Sequence, residues 1–169
     1  KILLQLFLIS QFGKIYLTND VARITDKLGP EPLEDDFTPE VLISRFKGRK
    51  KNIKALLLDQ TFVAGIGNIY ADEALFRAGI SPLRNADSLK DDEMPKLHSA
   101  IRDALNLGIA HEGASINWYR KPDGTKGESQ NHFFVYGRTD EPCDNCGEMI
   151  RKIRVAGRGT HYCPICQPD

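Results

Sequence analysis

The stretch "EPCDNCGEMIRKIRVAGRGTHYCPIC", residues 141–166, carries all four cysteines of the chain as two Cys-x-x-Cys pairs. The first pair is Cys143 and Cys146, the second is Cys163 and Cys166, and sixteen residues separate the pairs. Four thiolates fill the tetrahedral coordination sphere of Zn²⁺ at Zn–S distances of about 2.3 Å. The spacing therefore predicts one structural zinc ion, in preference to two disulfides or a redox-active thiol pair.

The residues between the two cysteine pairs predict a β-hairpin that returns the chain to the metal. "MIRKIRV" is strand-like, "AGRG" supplies glycines for a turn, and "THYC" returns. We expect the tip of the hairpin at residues 156–159, with Arg158 projecting from it. Arg158 is either a solvated turn residue or an arginine whose guanidinium binds a phosphate through two N–H groups. His161 is a spare candidate ligand, but four thiolates leave it no vacancy.

Charge is unevenly distributed in this chain of 169 residues, although its 23 basic and 23 acidic residues cancel. Residues 44–54 contain six Lys or Arg and no acid, and residues 149–166 contain four and no acid. The acids cluster in residues 31–40 and 87–94. This segregation is compatible with a basic face that attracts a polyanion, and equally with solvated helix faces.

The apolar run "ILLQLFLI", residues 2–9, is too short to span a bilayer. No small-residue cleavage site follows it, so it does not resemble a signal peptide. The sequence predicts no membrane partner.

Three short helices are predicted in the middle of the chain. Thr38 is an N-cap, Pro39 occupies the first helical position, and Gly48 stops this helix. Residues 51–60 form the second helix, and residues 68–79 form the third.

A fourth helix is predicted to start near Ser88. Its apolar residues recur at helical spacing, at Leu97, Ile101, Leu105 and Ile109. A polar loop follows at residues 119–131, and "HFFVYGR", residues 132–138, is interpreted as a strand.

The turn before the third helix, "FVAGIGN", is a candidate anion site. Gly65 and Gly67 permit close approach of the backbone, and Asn68 lies where the helix begins. A helix N-terminus presents free N–H groups and a partial positive charge. The bare pattern is equally a turn followed by a helix cap, and the basic residues 48–54 directly upstream favour the anion site.

Residues 56–84, "LLLDQTFVAGIGNIYADEALFRAGISPLR", followed by "VYGR" and "CDNCG…VAGRGTHYCPICQ", closely resemble the C-terminal half of the formamidopyrimidine-DNA glycosylases (the Fpg/Nei family). The helix–two-turn–helix (H2TH) element corresponds to residues 53–80 and the zinc finger to residues 135–167. "LGPEPL" resembles the interdomain linker of that family. The resemblance covers roughly residues 12–167.

This resemblance implies a mainly α fold with a small β part, in which an H2TH helical domain precedes a zinc-bound β-hairpin. The implied domains are a strand remnant of a missing N-terminal β-sandwich (1–25), an interdomain linker (26–37), the DNA-binding H2TH domain (38–132) and the zinc-finger β-hairpin (133–169).

The resemblance also implies binding of duplex DNA that contains a damaged base or an abasic site. Such enzymes flip the damaged nucleotide, cleave its glycosidic bond and nick the strand. Asn68, with the Gly67 amide, is expected to hold a phosphate next to the lesion, as is Arg158. The further matching phosphate-contacting positions are Lys50, Lys152 and Tyr136.

Two matching features concern the lesion itself. Phe12 matches the aromatic wedge that is inserted where the base has left the stack. The loop 118–130 resembles the mobile loop that closes over a flipped 8-oxoguanine. Before the wedge the family usually has an arginine-rich "D-x-R-x-F-G", whereas residues 8–13 here read "LISQFG", so the arginine that reads the opposite base has no counterpart.

The nucleophile of the family is an N-terminal proline amine followed by a glutamate, because an α-amine with a pKa of about 8 can attack C1′ and form a Schiff base. This chain begins with Lys1 and Ile2. We therefore expect no catalytic residue in it and no activity by itself, as a fragment of a complete enzyme or as a natural truncation. The apolar residues 2–9 would favour self-association of the isolated chain.

Three functions follow from these patterns. The leading one is damaged-DNA binding in base excision repair, as part of a bifunctional DNA glycosylase/AP lyase that acts on oxidised purines (8-oxoguanine, formamidopyrimidine) in the bacterial cytoplasm, at the nucleoid. The second is a non-catalytic zinc-dependent module, a regulator or decoy, that binds undamaged DNA or RNA. The third is a zinc-stabilised domain whose basic residues bind an acidic protein.

Overall fold

The computed structural model describes residues 16–116, 119–121 and 123–169. Within these residues lie five α-helices, three short 3₁₀ helices and one two-stranded sheet. In chain order the α-helices and strands are α1 (Ala22–Thr25), α2 (Pro39–Phe46), α3 (Ile53–Leu57), α4 (Asn68–Ala78), α5 (Met94–Ala110), β1 (Arg151–Val155) and β2 (Arg158–Tyr162). The expected mainly α fold with a small β part is confirmed, whereas most of the predicted strand remnant lies outside the described residues.

Local sequence signals define the ends of the three middle helices. The Thr38 side chain caps α2 by accepting a hydrogen bond from the Val41 N–H, as the sequence predicts. Asn52 caps α3 in the same way. Gly79 ends α4 in the left-handed conformation, with φ of 69°. These residues fix where α2 and α3 begin and where α4 ends.

A hydrophobic core joins α2, α3, α4 and α5. Its largest members include Leu42, Phe46, Ile53, Leu57, Leu75, Leu97 and Ile101, all buried. Gly108 allows α5 to lie close to α4, because a Cβ at this position would collide with the Tyr70 hydroxyl group. The helical core is therefore a platform on which the α3–α4 turn is held.

A second, smaller cluster lies at the far side of α4. It consists of Phe76, Val135, Cys143, Ile150 and Cys163. Two of these five residues are cysteines, so the cysteine region has little apolar core of its own. Its position depends on contacts with α4 and on the cysteines.

The predicted start of the fourth helix was wrong. Short 3₁₀ turns form at Ala86–Ser88 and Asp91–Glu93, the residues between them are extended, and α5 begins at Met94. The reason is a tertiary contact: the Arg84 guanidinium donates to both carboxylate oxygens of Glu93 and to the Ser88 carbonyl. Ile109 was also assigned wrongly to the apolar face, since 64% of it is exposed.

The interpretation of residues 132–138 as a strand was wrong as well. The backbone N–H groups of Phe134, Val135 and Tyr136 all donate to the carboxylate of Glu73 on α4, at 2.9–3.0 Å. Because these donors converge on one buried side chain, they are not available to a neighbouring strand. Burial raises the pKa of the Glu73 carboxyl, and the three N–H donors oppose that shift.

The residues before α2 are bonded to the α3–α4 turn. The Gly29 N–H donates to the Gln60 carbonyl at 2.8 Å, and the Ala64 N–H donates to the Pro30 carbonyl at 3.0 Å. This part of the chain therefore supports the turn from behind. Over the ranges that the structure describes, none of the helices combines the length and apolar character needed to cross a membrane.

Candidate nucleic-acid interface and zinc site

The four cysteines converge as their spacing predicts. Their sulfur atoms all lie within 4.8 Å of one another, with Cys143 Sγ 3.8 Å from Cys166 Sγ and Cys146 Sγ 3.4 Å from Cys163 Sγ. A zinc tetrahedron with Zn–S bonds of about 2.3 Å separates its sulfurs by about 3.8 Å. The donor set therefore fits one structural Zn²⁺, and His161 is not among the converging ligands.

The hairpin between the cysteine pairs turns more tightly than predicted. Ala156 and Gly157 alone form the turn, with φ of 51° and 75°. Two positive φ values give a two-residue turn whose twist matches that of the strands. Arg158 is consequently the first residue of β2, paired with Val155, rather than a residue of the tip. Its side chain is exposed beside the turn.

The turn between α3 and α4 presents backbone N–H groups. Gly67 is the N-cap of α4, and no side chain caps this end of the helix. Gln60 braces the turn, since its Oε1 accepts from the Gly65 N–H at 2.8 Å and its Nε2 donates to the Ile66 carbonyl. The helix N-terminus is thus open to an anion at a fixed backbone geometry.

Asn68 connects this turn to the zinc hairpin. Its Nδ2 donates to the Gly159 carbonyl at 3.0 Å. Because Gly159 directly follows Arg158, the contact brings Asn68, Gly67 and Arg158 to one place on the surface. Nδ2 carries two hydrogens, and one of them is left for another acceptor.

A buried ion pair lies directly beneath this contact. Lys54 Nζ of α3 is 2.6 Å from Asp72 Oδ1 of α4, and both side chains are fully buried. Lys54 also donates to Thr160 Oγ1 at 2.6 Å and to the Gly159 carbonyl at 3.2 Å. Burial lowers the pKa of Lys54, and the Asp72 carboxylate opposes that shift. Asp72 in turn accepts from the His161 N–H at 2.9 Å.

Two further predicted residues lie on or next to the hairpin. Lys152 is exposed on β1 opposite His161, and its side chain passes near Gly159. The Tyr136 ring packs edge-on against the His161 ring at 4.8 Å. Lys152 and Tyr136 therefore flank the place where Asn68 meets the hairpin.

The remaining predicted residues are not joined to this group. Lys50 is exposed before α3, and among the described residues it forms no hydrogen bond or ion pair with Asn68 or Arg158. Phe12 and Trp118 lie outside the described residues.

The described part of the loop 118–130 closes at its base. The Glu128 N–H donates to the His111 carbonyl at 2.9 Å, and the rings of His111 and His132 stack at 3.7 Å. Next to this base lies a groove of about 350 Å³, lined by Tyr70, Leu105, Gly113 and Tyr119, among others.

Sequence reasoning missed Lys54, Asp72 and Thr160, which join the helical domain to the hairpin. It also missed Glu73, which binds the backbone of residues 134–136. One signal was present. Asp72 and Glu73 interrupt the otherwise apolar stretch "ADEALF" of α4. Consecutive acids on the buried side of a helix require partners, because an unpaired buried carboxylate is very costly.

Comparisons with known proteins agree with this geometry. Residues 28–120 match the family described as the formamidopyrimidine-DNA glycosylase H2TH domain, and residues 140–168 match the zinc finger found in FPG and IleRS. A formamidopyrimidine-DNA glycosylase of Desulfitobacterium hafniense is 50% identical over 161 residues, which are 93% of this chain and 59% of that protein.

Solved structures give the same result. The MutM (Fpg) protein of Thermus thermophilus superposes with a TM-score of 0.82 at 44% identity, covering 88% of this chain and 57% of that one. The Lactococcus lactis Fpg in complex with DNA containing an abasic site gives 0.83 at 42% identity, covering 90% and 56%. The chain thus spans less than two thirds of the length of these relatives, with both matched families lying within it. It belongs to the formamidopyrimidine-DNA glycosylase family.

Proposed function

We propose that this chain binds duplex DNA at a damaged base or an abasic site, as the H2TH and zinc-finger part of a DNA glycosylase/AP lyase in base excision repair. The substrates of that glycosylase are oxidised purines, 8-oxoguanine and formamidopyrimidine among them. The Lactococcus lactis relative has been solved with DNA containing an abasic site, which supports this assignment.

The observation that carries the proposal is the hydrogen bond from Asn68 to the Gly159 carbonyl. It brings an uncapped helix N-terminus and an exposed arginine side by side. The first offers backbone N–H groups to one phosphate, and the second offers a guanidinium fork to another. Two anion contacts on adjacent elements suit the regularly spaced phosphates of one DNA strand.

Further basic residues are exposed on the hairpin, where Arg151, Lys152 and Arg154 all lie on β1. Lys50, which is not joined to this pair, is exposed before α3. Such contacts position the DNA backbone without reading its sequence. Lesion selectivity needs a second feature, and the groove beside Tyr119 at the base of the loop 118–130 could accommodate an extruded base.

Asn68→Ala and Arg158→Ala should each weaken binding to a duplex with a central abasic-site analogue by about 1–3 kcal/mol, the scale of a charge-assisted hydrogen bond. The loss should be similar on duplexes of unrelated sequence, because phosphates carry no sequence information. Fluorescence anisotropy of labelled duplexes at fixed salt measures both effects.

Lys96→Ala is the matched control, since it removes an exposed cation from the solvent side of α5. We expect it to leave the affinity within about twofold of the parent, as for a surface charge outside the interface. If Asn68→Ala and Arg158→Ala behave like this control, the proposed DNA contact is wrong.

A further inference from the structure

The buried ion pair beneath Asn68 has a geometry that general stabilisation does not require. Its two charges come from different helices, Lys54 from α3 and Asp72 from α4, and neither is exposed. Burying two charges is costly, and apolar side chains of similar size would often stabilise a core as well or better. The position of the pair therefore calls for another explanation.

The ion pair is directed at the backbone that carries Arg158. Lys54 Nζ donates to the Gly159 carbonyl and to Thr160 Oγ1, and the Thr160 hydroxyl donates to the Arg158 carbonyl at 3.1 Å. Asp72 holds the next residue, through the His161 N–H. Three consecutive residues of β2, Gly159 to His161, are thus bonded to the charged pair, and Arg158 is linked to it through the Thr160 hydroxyl.

Asn68 shares the same acceptor. Its Nδ2 and the Lys54 ammonium both donate to the Gly159 carbonyl. Asn68 is the first residue of α4, and Asp72 lies one helical turn further along. Lys54 of α3 therefore fixes the carbonyl to which Asn68 is bonded, and its partner Asp72 lies on the same helix as Asn68.

We propose that Lys54, neutralised by Asp72, is a positioning residue that couples the phosphate contact of Asn68 to that of Arg158. This inference rests on the proposed DNA-binding function. With the pair in place, the α3–α4 turn and β2 move as one body. A DNA strand that is bound by one contact therefore finds the second contact already in position. Without the pair, each contact acts by itself.

A double-mutant cycle measures this coupling directly. The affinity for a duplex with an abasic-site analogue is measured for the parent chain, Asn68→Ala, Arg158→Ala and the double variant. Because the contacts are coupled, we expect the double variant to bind at least about threefold better than the product of the two single losses predicts.

The cycle is then repeated in a background without the ion pair. Lys54→Met alone leaves Asp72 buried without a counter-charge, so the background is Lys54→Met/Asp72→Asn, which removes both charges and keeps an acceptor for the His161 N–H. In this background we expect the affinity losses caused by Asn68→Ala and Arg158→Ala to be independent, so that the loss of the double variant lies within about twofold of their product. Thr160→Val, which keeps both charges but removes the hydroxyl link, should reduce the coupling as well.

The matched control background is Lys96→Met/Asp103→Asn, which makes the same two substitutions at exposed positions of α5. It should retain the coupling of the parent. If the ion pair only stabilised the fold, the coupling would be the same in the two backgrounds.

Coupling that persists in Lys54→Met/Asp72→Asn overturns the inference, because the Asn68–Gly159 hydrogen bond would then suffice. If the affinity losses of the two single variants already multiply in the parent, the inference is also overturned, but the proposed function stands. If neither single variant weakens binding, the proposed function itself fails.

Discussion

Removal of zinc is expected to unfold the hairpin while the helical core stays folded. The cysteine region shares a cluster of only five buried residues, two of which are the metal ligands Cys143 and Cys163. Structural zinc in finger peptides contributes on the order of 10–16 kcal/mol of apparent binding free energy. Nothing of that size in the small cluster replaces it, so β1 and β2 should separate when a chelator takes the metal.

Hydrogen exchange of the β1 and β2 amides, with and without a chelator, measures this effect. Protection of these amides should disappear in the chelator, and the purified chain should release one zinc per molecule. The α5 amides are the internal control, since Leu97 and Ile101 belong to the separate helical core. Hairpin amides that stay protected without metal would contradict the zinc assignment.

The second large effect is expected at the buried ion pair. Lys54→Met should lower the free energy of unfolding by about 3–5 kcal/mol, because it leaves the fully buried Asp72 carboxylate without its counter-charge. A loss of this size is a large part of the stability of a typical domain. Urea denaturation at neutral pH, in the presence of zinc, measures it.

Lys54→Met/Asp72→Asn is the control for this interpretation. It removes both buried charges together, and Asn at position 72 still accepts from the His161 N–H, so most of the stability should return. A single variant that unfolds within about 1 kcal/mol of the parent would show that Lys54 and Asp72 do not form a buried pair in solution.

Features whose cause is local were predictable from the sequence. The Cys-x-x-Cys spacing gave the zinc ligands, and Thr38 and Gly79 marked helix ends that the structure confirms. In each case the chemistry lies within a few neighbouring residues, so the pattern alone identifies it.

The features that were mispredicted depend on side chains outside the segment concerned or on an unusual backbone conformation. Residues 132–138 have the composition of a strand, but Glu73, far away in the sequence, takes their N–H groups. The start of α5 was misplaced because Arg84 holds the preceding segment in 3₁₀ turns. The hairpin tip was placed too wide because Ala156 adopts a positive φ, which a non-glycine residue rarely does.

The candidate site also contains residues that the sequence identified and residues that it did not. Asn68 and Arg158 were recognisable by their position in short motifs, and the structure brings them together through the Gly159 carbonyl. Lys54 looked like one more cation of a basic run, yet it is fully buried. Its partners lie on another helix and another strand, so a pattern of neighbouring residues could not identify them.

The proposed function requires that the chain carrying the face formed by Asn68, Gly67 and Arg158 bind damaged DNA. The most direct test is the fluorescence anisotropy of this chain titrated, at moderate salt, onto two labelled duplexes of the same sequence. One duplex is intact, and the other has a central stable abasic-site analogue. We predict binding to the abasic duplex that is tighter by about tenfold or more, because a site without a stacked base is already easier to kink and open. Equal affinity for the two duplexes would contradict the claim and leave this chain a clamp for undamaged DNA.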